Sequence, residues 1–395
     1  MKILRVPERN ILVLGNGFDL HHNMKTKYSH YIEFMRELRR TNIRVAEEAG
    51  EQKFVLQKKS QQIYRDNGFS EEAIEKIWST IGNGFVQYFM SYGNIVKGWI
   101  DFEVLIKSIT VDIEEMMNKL DAMPEAIDKY DKNITWTDRE VLLAESFDKI
   151  FRTRMDKKIW IKEEFKNNLT GIDRKEVRKI LRKEYDGLCE SLWIYLKEIE
   201  PYCRTVKTEL TYRQIEEIQA DMVITFNYTD TYKRYGIEPE DAIHVHGSLE
   251  EKNIVLGFQD DNETELQYVY FKKYMQCILK HTPILENYSF RRKIEKGEED
   301  SQLLYDEIIM HFFGHSLDIT DRDMLSLLFD RASRIKIYYY DEDDYEEKIE
   351  KVIDMLGKKK ALQKIHEKNI DFILIEKTGE EKAAESESER CVLEK

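Results

Sequence analysis

The sequence has little of what marks a disulfide-stabilised, zinc-binding or membrane-spanning protein. Its 395 residues include four cysteines and five prolines. The cysteines lie far apart and no two form a Cys-x-x-Cys pair, so we expect neither a disulfide framework nor a structural zinc site. No apolar run approaches the roughly 18 residues of a membrane span, and the N-terminal residues lack the apolar stretch of a signal peptide. We therefore expect a cytoplasmic protein with reduced thiols and no membrane contact.

Negative charge exceeds positive charge in this chain. The chain has 62 Lys and Arg against 76 Asp and Glu, which gives a net charge of -14. Broad binding to a nucleic-acid backbone needs clustered Lys and Arg, so we do not expect nucleic acid to be the main partner. Six basic side chains do crowd residues 174–183, and a solvated helix face is the interpretation we favour for them.

The apolar pattern predicts an α/β fold with a Rossmann-like parallel sheet. Apolar runs typical of buried parallel strands alternate with segments of helical spacing. The predicted strands are 11–14, 222–226, 243–246, 253–257, 307–313, 335–340 and 370–375. The long interval after the first of them has helical periodicity, which predicts a large all-helical insertion after the first βα unit.

This pattern divides the chain into four parts. We expect residues 1–44 to form the first βα unit of a nucleotide-binding domain and residues 45–215 to form the helical insertion. Residues 216–375 are then expected to complete the sheet domain. The tail at 376–395 is rich in Glu, Lys, Ser and Ala, so we expect it to be disordered.

A glycine-rich turn follows the first predicted strand. Gly15 and Gly17 bracket Asn16, and glycines there let the backbone turn tightly and let a phosphate approach the amides. The dinucleotide fingerprint would have a further glycine where Leu20 stands, and no Gly-Lys-Ser/Thr follows. A plain tight turn and a phosphate site both remain open. Asp19 is placed either to cap a helix, which we favour, or to bind a ribose.

Two later strands end in polar residues suited to chemistry. Asn227 is placed to orient a carboxamide, a water or a ribose hydroxyl, or else to close a turn. His246 is the natural general base, because histidine changes charge near neutral pH. A hydrogen-bonded structural histidine is the alternative. His244 shares its strand face, but we find no third metal ligand nearby and predict no metal.

A third element follows the strand at 307–313. Gly314 and Ser316 supply a small residue and a hydroxyl that suit contact with ribose or phosphate. We expect His315 to be structural, and Asp318 and Asp321 both resemble caps of the next helix.

Six short motifs occur in this chain in an order that matches a known protein family. They are Leu14-Gly-Asn-Gly-Phe-Asp-Leu20, Thr26-x-Tyr28, Trp99-x-Asp101-Phe-Glu103, Ile224-Thr-Phe-Asn-Tyr-Thr229, His244-Val-His-Gly-Ser-Leu249 and Gly314-His-Ser-Leu317. Over residues ~11–340 the chain thereby resembles the bacterial abortive-infection AbiH family. That family is in turn similar to the sirtuin-like NAD-binding fold of many anti-phage proteins.

The resemblance implies NAD as the substrate and assigns roles to residues. Asn227 stands where the asparagine of the family meets the nicotinamide ribose, and His246 stands where the catalytic histidine sits. For Glu103 it gives no role that we can derive, so helix capping or packing is our interpretation. The residues it implies in cofactor binding are Gly15, Asn16, Gly17, Phe18, Asp19, Thr225, Gly247, Ser248, Gly314, His315 and Ser316. The four-cysteine zinc module of a protein deacylase is missing, so we do not expect deacylation.

Three functional hypotheses follow. The first is an anti-phage effector that hydrolyses NAD to nicotinamide and ADP-ribose. The second is a catalytically inactive sensor that binds NAD or ADP-ribose and signals to a partner, and the third is a nucleic-acid-directed effector. A phage-encoded trigger, a companion defence protein or a second copy of the chain would each fit as a partner.

Overall fold

The computed structural model describes most of the chain, with gaps. The described residues are 8–40, 44–48, 51–55, 70–92, 99–122, 135–167, 171–205, 212–259, 266–285, 288, 290, 293–294, 304–305 and 307–376. Apart from Glu376, the tail predicted to be disordered lies outside these residues.

A six-stranded parallel sheet forms the centre of the fold. Its strands are β1 (Glu8–Leu14), β2 (Met222–Thr225), β3 (Ala242–His244), β4 (Glu307–Phe313), β5 (Arg334–Tyr339) and β6 (Ile370–Leu374). Their order in space is β3-β2-β1-β4-β5-β6, and every neighbouring pair is parallel. This is the strand order of the Rossmann fold. The prediction of an α/β protein with a Rossmann-like parallel sheet is confirmed.

The strands form because their apolar runs are buried on both faces of the sheet. Ile11 and Val13 join one apolar cluster, and Leu12 and Leu14 join the cluster on the opposite face. The apolar run at 253–257 is not a strand, so that prediction is wrong. Its central residues are buried in a loop that packs on the insertion, and a short apolar run does not distinguish the two cases.

Helices cover the sheet and build the insertion between β1 and β2. They are α1 (Asn16–His21), α2 (Tyr28–Arg40), α3 (Glu71–Ser79), α4 (Gly84–Ser91), α5 (Trp99–Asp121), α6 (Asp138–Ser146), α7 (Arg174–Thr205), α8 (Arg213–Glu216), α9 (Lys273–Leu279), α10 (Arg322–Arg331), α11 (Glu342–Leu356) and α12 (Lys358–His366). Among the helices described, none has both the length and the hydropathy of a membrane span.

The insertion is mainly helical and has its own apolar core. That core holds residues of α2 to α7, together with side chains from 249–271. Short antiparallel strand pairs also occur there, so the insertion is not all-helical. The pairs are Arg44–Glu48 with Glu51–Val55, Phe151–Thr153 with Ile159–Ile161, and Lys166–Asn167 with Gly171–Ile172. Such short pairs give too few alternating residues for a strand pattern.

The ends of the central strands are level, and this positions the site. Leu14 pairs with Phe313 on one side and with Thr225 on the other. The chain therefore leaves β1, β2 and β4 at the same edge. The strand order reverses between β1 and β4, and open α/β sheets bind ligands in the crevice at such a point.

Candidate functional site

A cavity of about 530 Å³ lies at this edge, between the sheet and the insertion. Its size is within the range of small-molecule and cofactor sites. Most of its wall comes from the loops after β1, β2, β3 and β4, and Glu103 and Leu196 reach it from the insertion. The predicted site residues that line it are Gly15, Asn16, Gly17, Asp19, Asn227, His246, Gly314, His315 and Ser316.

The glycines allow two turns to touch. Gly314 has a φ of +61°, and a Cβ there would lie 2.0 Å from the backbone nitrogen of Phe18. The N–H of Gly15 donates to the carbonyl of Phe313 at 3.0 Å, and the N–H of Gly17 donates to the carbonyl of Gly314 at 2.8 Å. The N–H groups of Gly15 and Gly17 therefore already donate to backbone carbonyls of the protein. The glycines serve close approach of backbones, and they are not free donors for a diphosphate.

Asn227 is tied to the glycine turn. Its side-chain nitrogen donates to the carbonyl of Gly15 at 3.0 Å, and its own N–H donates to the hydroxyl of Thr225 at 3.0 Å. Asp19 is buried within α1 and accepts a hydrogen bond from the hydroxyl of Thr229 at 2.6 Å. Because the N-cap of α1 is Gly15, the helix-cap interpretation of Asp19 is wrong.

His246 and His244 have different surroundings. Nδ1 of His244 is 3.1 Å from the carbonyl oxygen of Asn227, and its Nε2 is 3.1 Å from Asp230. Both ring nitrogens of His244 therefore contact acceptor groups of the protein. His246 is buried, lines the cavity, and places its Nε2 3.1 Å from Oδ1 of Asp321. Within the described residues, no three His, Cys, Asp or Glu side chains are grouped to hold a metal ion.

Asp321 belongs to a buried group of ionisable side chains that we call the acid–base cluster. Its members are His246, Asp321, Lys273 and Glu103. Nζ of Lys273 lies 2.7 Å from Oδ1 of Asp321 and 3.0 Å from Oε2 of Glu103. All four line the cavity. They come from the loop after β3, the start of α10, the start of α9 and helix α5, so tertiary packing alone brings them together.

The two carboxyl groups of the acid–base cluster differ in protonation. Burial raises the pKa of Glu103 to about 8, although Lys273 opposes this. Burial acts in the same direction on Asp321, but Lys273 and His246 overcome it and hold the pKa of that carboxyl well below its usual range. Burial, followed by Lys273, lowers the pKa of His246. At neutral pH the cluster therefore has an ionised Asp321, a protonated Glu103 and a neutral imidazole.

His315 offers a hydrogen-bond donor in the loop after β4. Its Nδ1 accepts from the N–H of Leu317 at 3.0 Å, and burial lowers its pKa to about 4. The ring is therefore neutral with its proton on Nε2, which has no hydrogen-bond partner among the described residues. His315 both orders its loop, as expected of a structural residue, and lines the cavity.

Four residues expected to bind the cofactor do not line the cavity: Phe18, Thr225, Gly247 and Ser248. Phe18 packs among aromatic rings, and Thr225 supports Asn227. Gly247 and Ser248 form a turn in which the N–H of Ser248 donates to Asn253 at 2.9 Å.

Sequence reasoning missed three members of the acid–base cluster. Glu103 lies in a segment that resembles the family, but we assigned it to packing or capping. Asp321 is the N-cap residue of α10 as expected, yet its side chain makes no capping hydrogen bond and instead contacts Lys273 and His246. Lys273 lies in no recognisable motif, and no local signal identifies it.

Comparison with known proteins gives one family. The profile of the family described as "Bacteriophage abortive infection AbiH" matches residues 11–341. No curated protein and no solved structure matches the chain. The matched range spans most of the chain and includes the glycine turns, Asn227 and the whole acid–base cluster. The chain therefore belongs to the bacteriophage abortive infection AbiH family.

Proposed function

We propose that this protein acts in abortive infection by binding NAD in the cavity and hydrolysing it to nicotinamide and ADP-ribose. Family membership indicates the role in abortive infection, whereas the ligand and the reaction are our proposal. The observation that carries it is the position of Asn227 and the acid–base cluster in one cavity, at the reversal of strand order in a Rossmann-like sheet.

Binding would use the polar groups along the cavity wall. Nε2–H of His315 is a fixed donor for a phosphate or carbonyl oxygen. Asn16 lines the turn after β1, where its side-chain oxygen accepts from the hydroxyl of Thr26 at 2.6 Å. Ser316 lies in the same loop as His315 and offers a hydroxyl at the cavity wall. A nucleotide would thus meet hydrogen-bonding side chains on the two loops that flank the strand-order reversal.

Hydrolysis would proceed through an oxocarbenium-like ribose. The bond between C1′ and the pyridinium nitrogen breaks, its electron pair moves to the nitrogen, and nicotinamide leaves as a neutral molecule. Water adds to C1′ and gives its proton to His246, a step in which general-base help is typically worth about 10²- to 10⁴-fold. The carboxylate of Asp321 would stabilise both the cationic ribose and the imidazolium. Asn227 would orient a ribose hydroxyl or the water.

The sensor hypothesis has one observation in its favour. Glu103 extends from the insertion to Lys273 at the cavity. A ligand in the cavity that displaced either side chain would therefore change a contact made by the insertion. A sensor would bind NAD or ADP-ribose without turning it over.

The nucleic-acid hypothesis loses support, because basic side chains of α7 are engaged within the protein. Arg174 pairs with Glu114 at 2.8 Å and with Asp121 at 2.5 Å, and Lys179 pairs with Glu176 at 2.5 Å. These pairs fit a solvated helix face.

Calorimetric titration with NAD, together with chromatography of the products, tests the proposal on the purified protein. We expect the wild type to bind NAD and to release nicotinamide. His246→Gln should keep the binding and lose at least about 100-fold in rate. The matched control is His366→Gln, at an exposed position far along the chain on α12. Binding without turnover in the wild type would support the sensor, and absence of binding would overturn the proposal.

A further inference from the structure

Glu103 has no task in the reaction proposed above. Glu103 is buried and lines the cavity beside Lys273. Nicotinamide is a cationic pyridinium in NAD and departs neutral, so its release requires no proton donor. The hydrolysis needs a base and a stabilising carboxylate, which His246 and Asp321 would supply. That reaction therefore leaves the carboxyl group of Glu103 without a function.

The charges of the acid–base cluster show which group holds a proton. A single ammonium, that of Lys273, is shared by two carboxyl groups in a buried space. Two buried carboxylates beside one cation leave an uncompensated negative charge, which low dielectric disfavours. Lys273 is closer to Asp321 than to Glu103, and Asp321 also faces His246. The proton therefore resides on Glu103, in agreement with the direction in which burial moves its pKa.

A protonated carboxyl group beside an ionised one is the arrangement with which glycosidases cleave bonds to poor leaving groups. The protonated group donates to the leaving group, and the ionised group stabilises or attacks the sugar. Among N-ribosides, a neutral purine is such a leaving group, because it departs readily only when one of its ring nitrogens accepts a proton.

We propose that Glu103 is a general acid, and that the cavity also accepts purine N-ribosides of the adenine-nucleotide class. This inference rests on the proposed function, because it uses the same cavity and the same base. The bond between C1′ and N9 breaks with its electron pair going to the purine, while Glu103 gives its proton to a purine ring nitrogen. Water adds to C1′ and its proton passes to His246. From AMP the products are adenine and ribose 5-phosphate, and from NAD they are adenine and the rest of the dinucleotide with a hydroxyl at that C1′. Proton exchange with solvent restores both side chains.

NAD and AMP are the probes for this inference. NAD contains both a nicotinamide riboside and an adenine riboside, so one substrate reports both activities, and AMP reports the second alone. We would quantify free nicotinamide and free adenine for the wild type, Glu103→Gln and Glu184→Gln. Glu184 is the matched control, since it is a buried glutamate of the insertion that pairs with Lys149 and does not line the cavity.

The expected result is adenine release by the wild type and by Glu184→Gln. In Glu103→Gln the ratio of adenine release to nicotinamide release should fall about 100-fold, the usual scale of general-acid help. The ratio is informative even if the variant is less stable, because a folding defect lowers both rates together.

Other outcomes separate the two proposals. Nicotinamide release without adenine release in the wild type would overturn this inference and leave the proposed function standing. An equal loss of both activities in Glu103→Gln would overturn it as well. Adenine release without nicotinamide release would support this inference and contradict NAD hydrolysis at the nicotinamide bond. Release of neither base would overturn both.

Discussion

Replacing Lys273 by Met should destabilise the protein strongly. The ammonium is the cation that Asp321 and Glu103 share, and the side chain of Lys273 is 7% exposed. Methionine keeps the shape but leaves the carboxylate of Asp321 buried without its cation. Breaking a buried ion pair from one side typically costs about 3–5 kcal/mol. Since domains have about 5–15 kcal/mol of stability in total, the loss would be a large fraction of it.

Urea denaturation followed by circular dichroism would measure this change. Lys360→Met is the control, because Lys360 pairs with Asp330 on the surface and such pairs contribute about 0–1 kcal/mol. The triple variant Lys273→Met, Glu103→Gln, Asp321→Asn should recover much of the lost stability, since it removes the unpaired charge itself. A cost for Lys273→Met no greater than that of Lys360→Met would refute the reasoning. So would a triple variant less stable than Lys273→Met alone.

Three further predictions concern Gly314, two buried histidines and Asn227. Gly314→Ala should lower the free energy of unfolding by roughly 2–5 kcal/mol, from left-handed backbone strain and a backbone clash, and calorimetry showing an unchanged Tm would contradict it. Burial lowers the pKa of His22 to about 4 and that of His311 to about 3. The unfolded chain therefore takes up these protons first, and stability should fall by about 1.4 kcal/mol per pH unit per histidine as the pH drops from 6.5 towards 4. Urea titrations with His311→Asn should show a shallower pH dependence, and an identical slope would count against it. Asn227→Ala removes the hydrogen bond to Gly15 and should weaken NAD binding about tenfold, which calorimetric titration would detect.

The sheet could be predicted because its strands are apolar on both faces. The runs at 11–14 and 307–313 contain few polar residues, and such runs are typical of buried parallel strands. The carboxyl ends of parallel strands meet at one edge, so Asn227 and His246 could be expected near the glycine turn. The structure brings all three to one cavity.

The rest of the site could not be predicted, because it depends on packing between distant segments. Lys273 begins a short helix in a stretch without a motif, and Glu103 lies in a helix whose pattern indicates only an apolar face. Nothing local to either residue shows that they meet at 3.0 Å. The loop at 253–257 resembles a strand for a related reason, since burial against the insertion requires apolar residues whether or not the backbone pairs.

The most direct test of NAD hydrolysis is the NAD content of cells during phage challenge. We would quantify NAD and nicotinamide in cells that express the wild type, His246→Ala or the control His366→Ala. We predict that NAD falls and nicotinamide rises after infection in the wild type and the control, and that both stay constant in His246→Ala. Constant NAD in wild-type cells that remain protected from phage would contradict it and make the cavity a binding site for a signal.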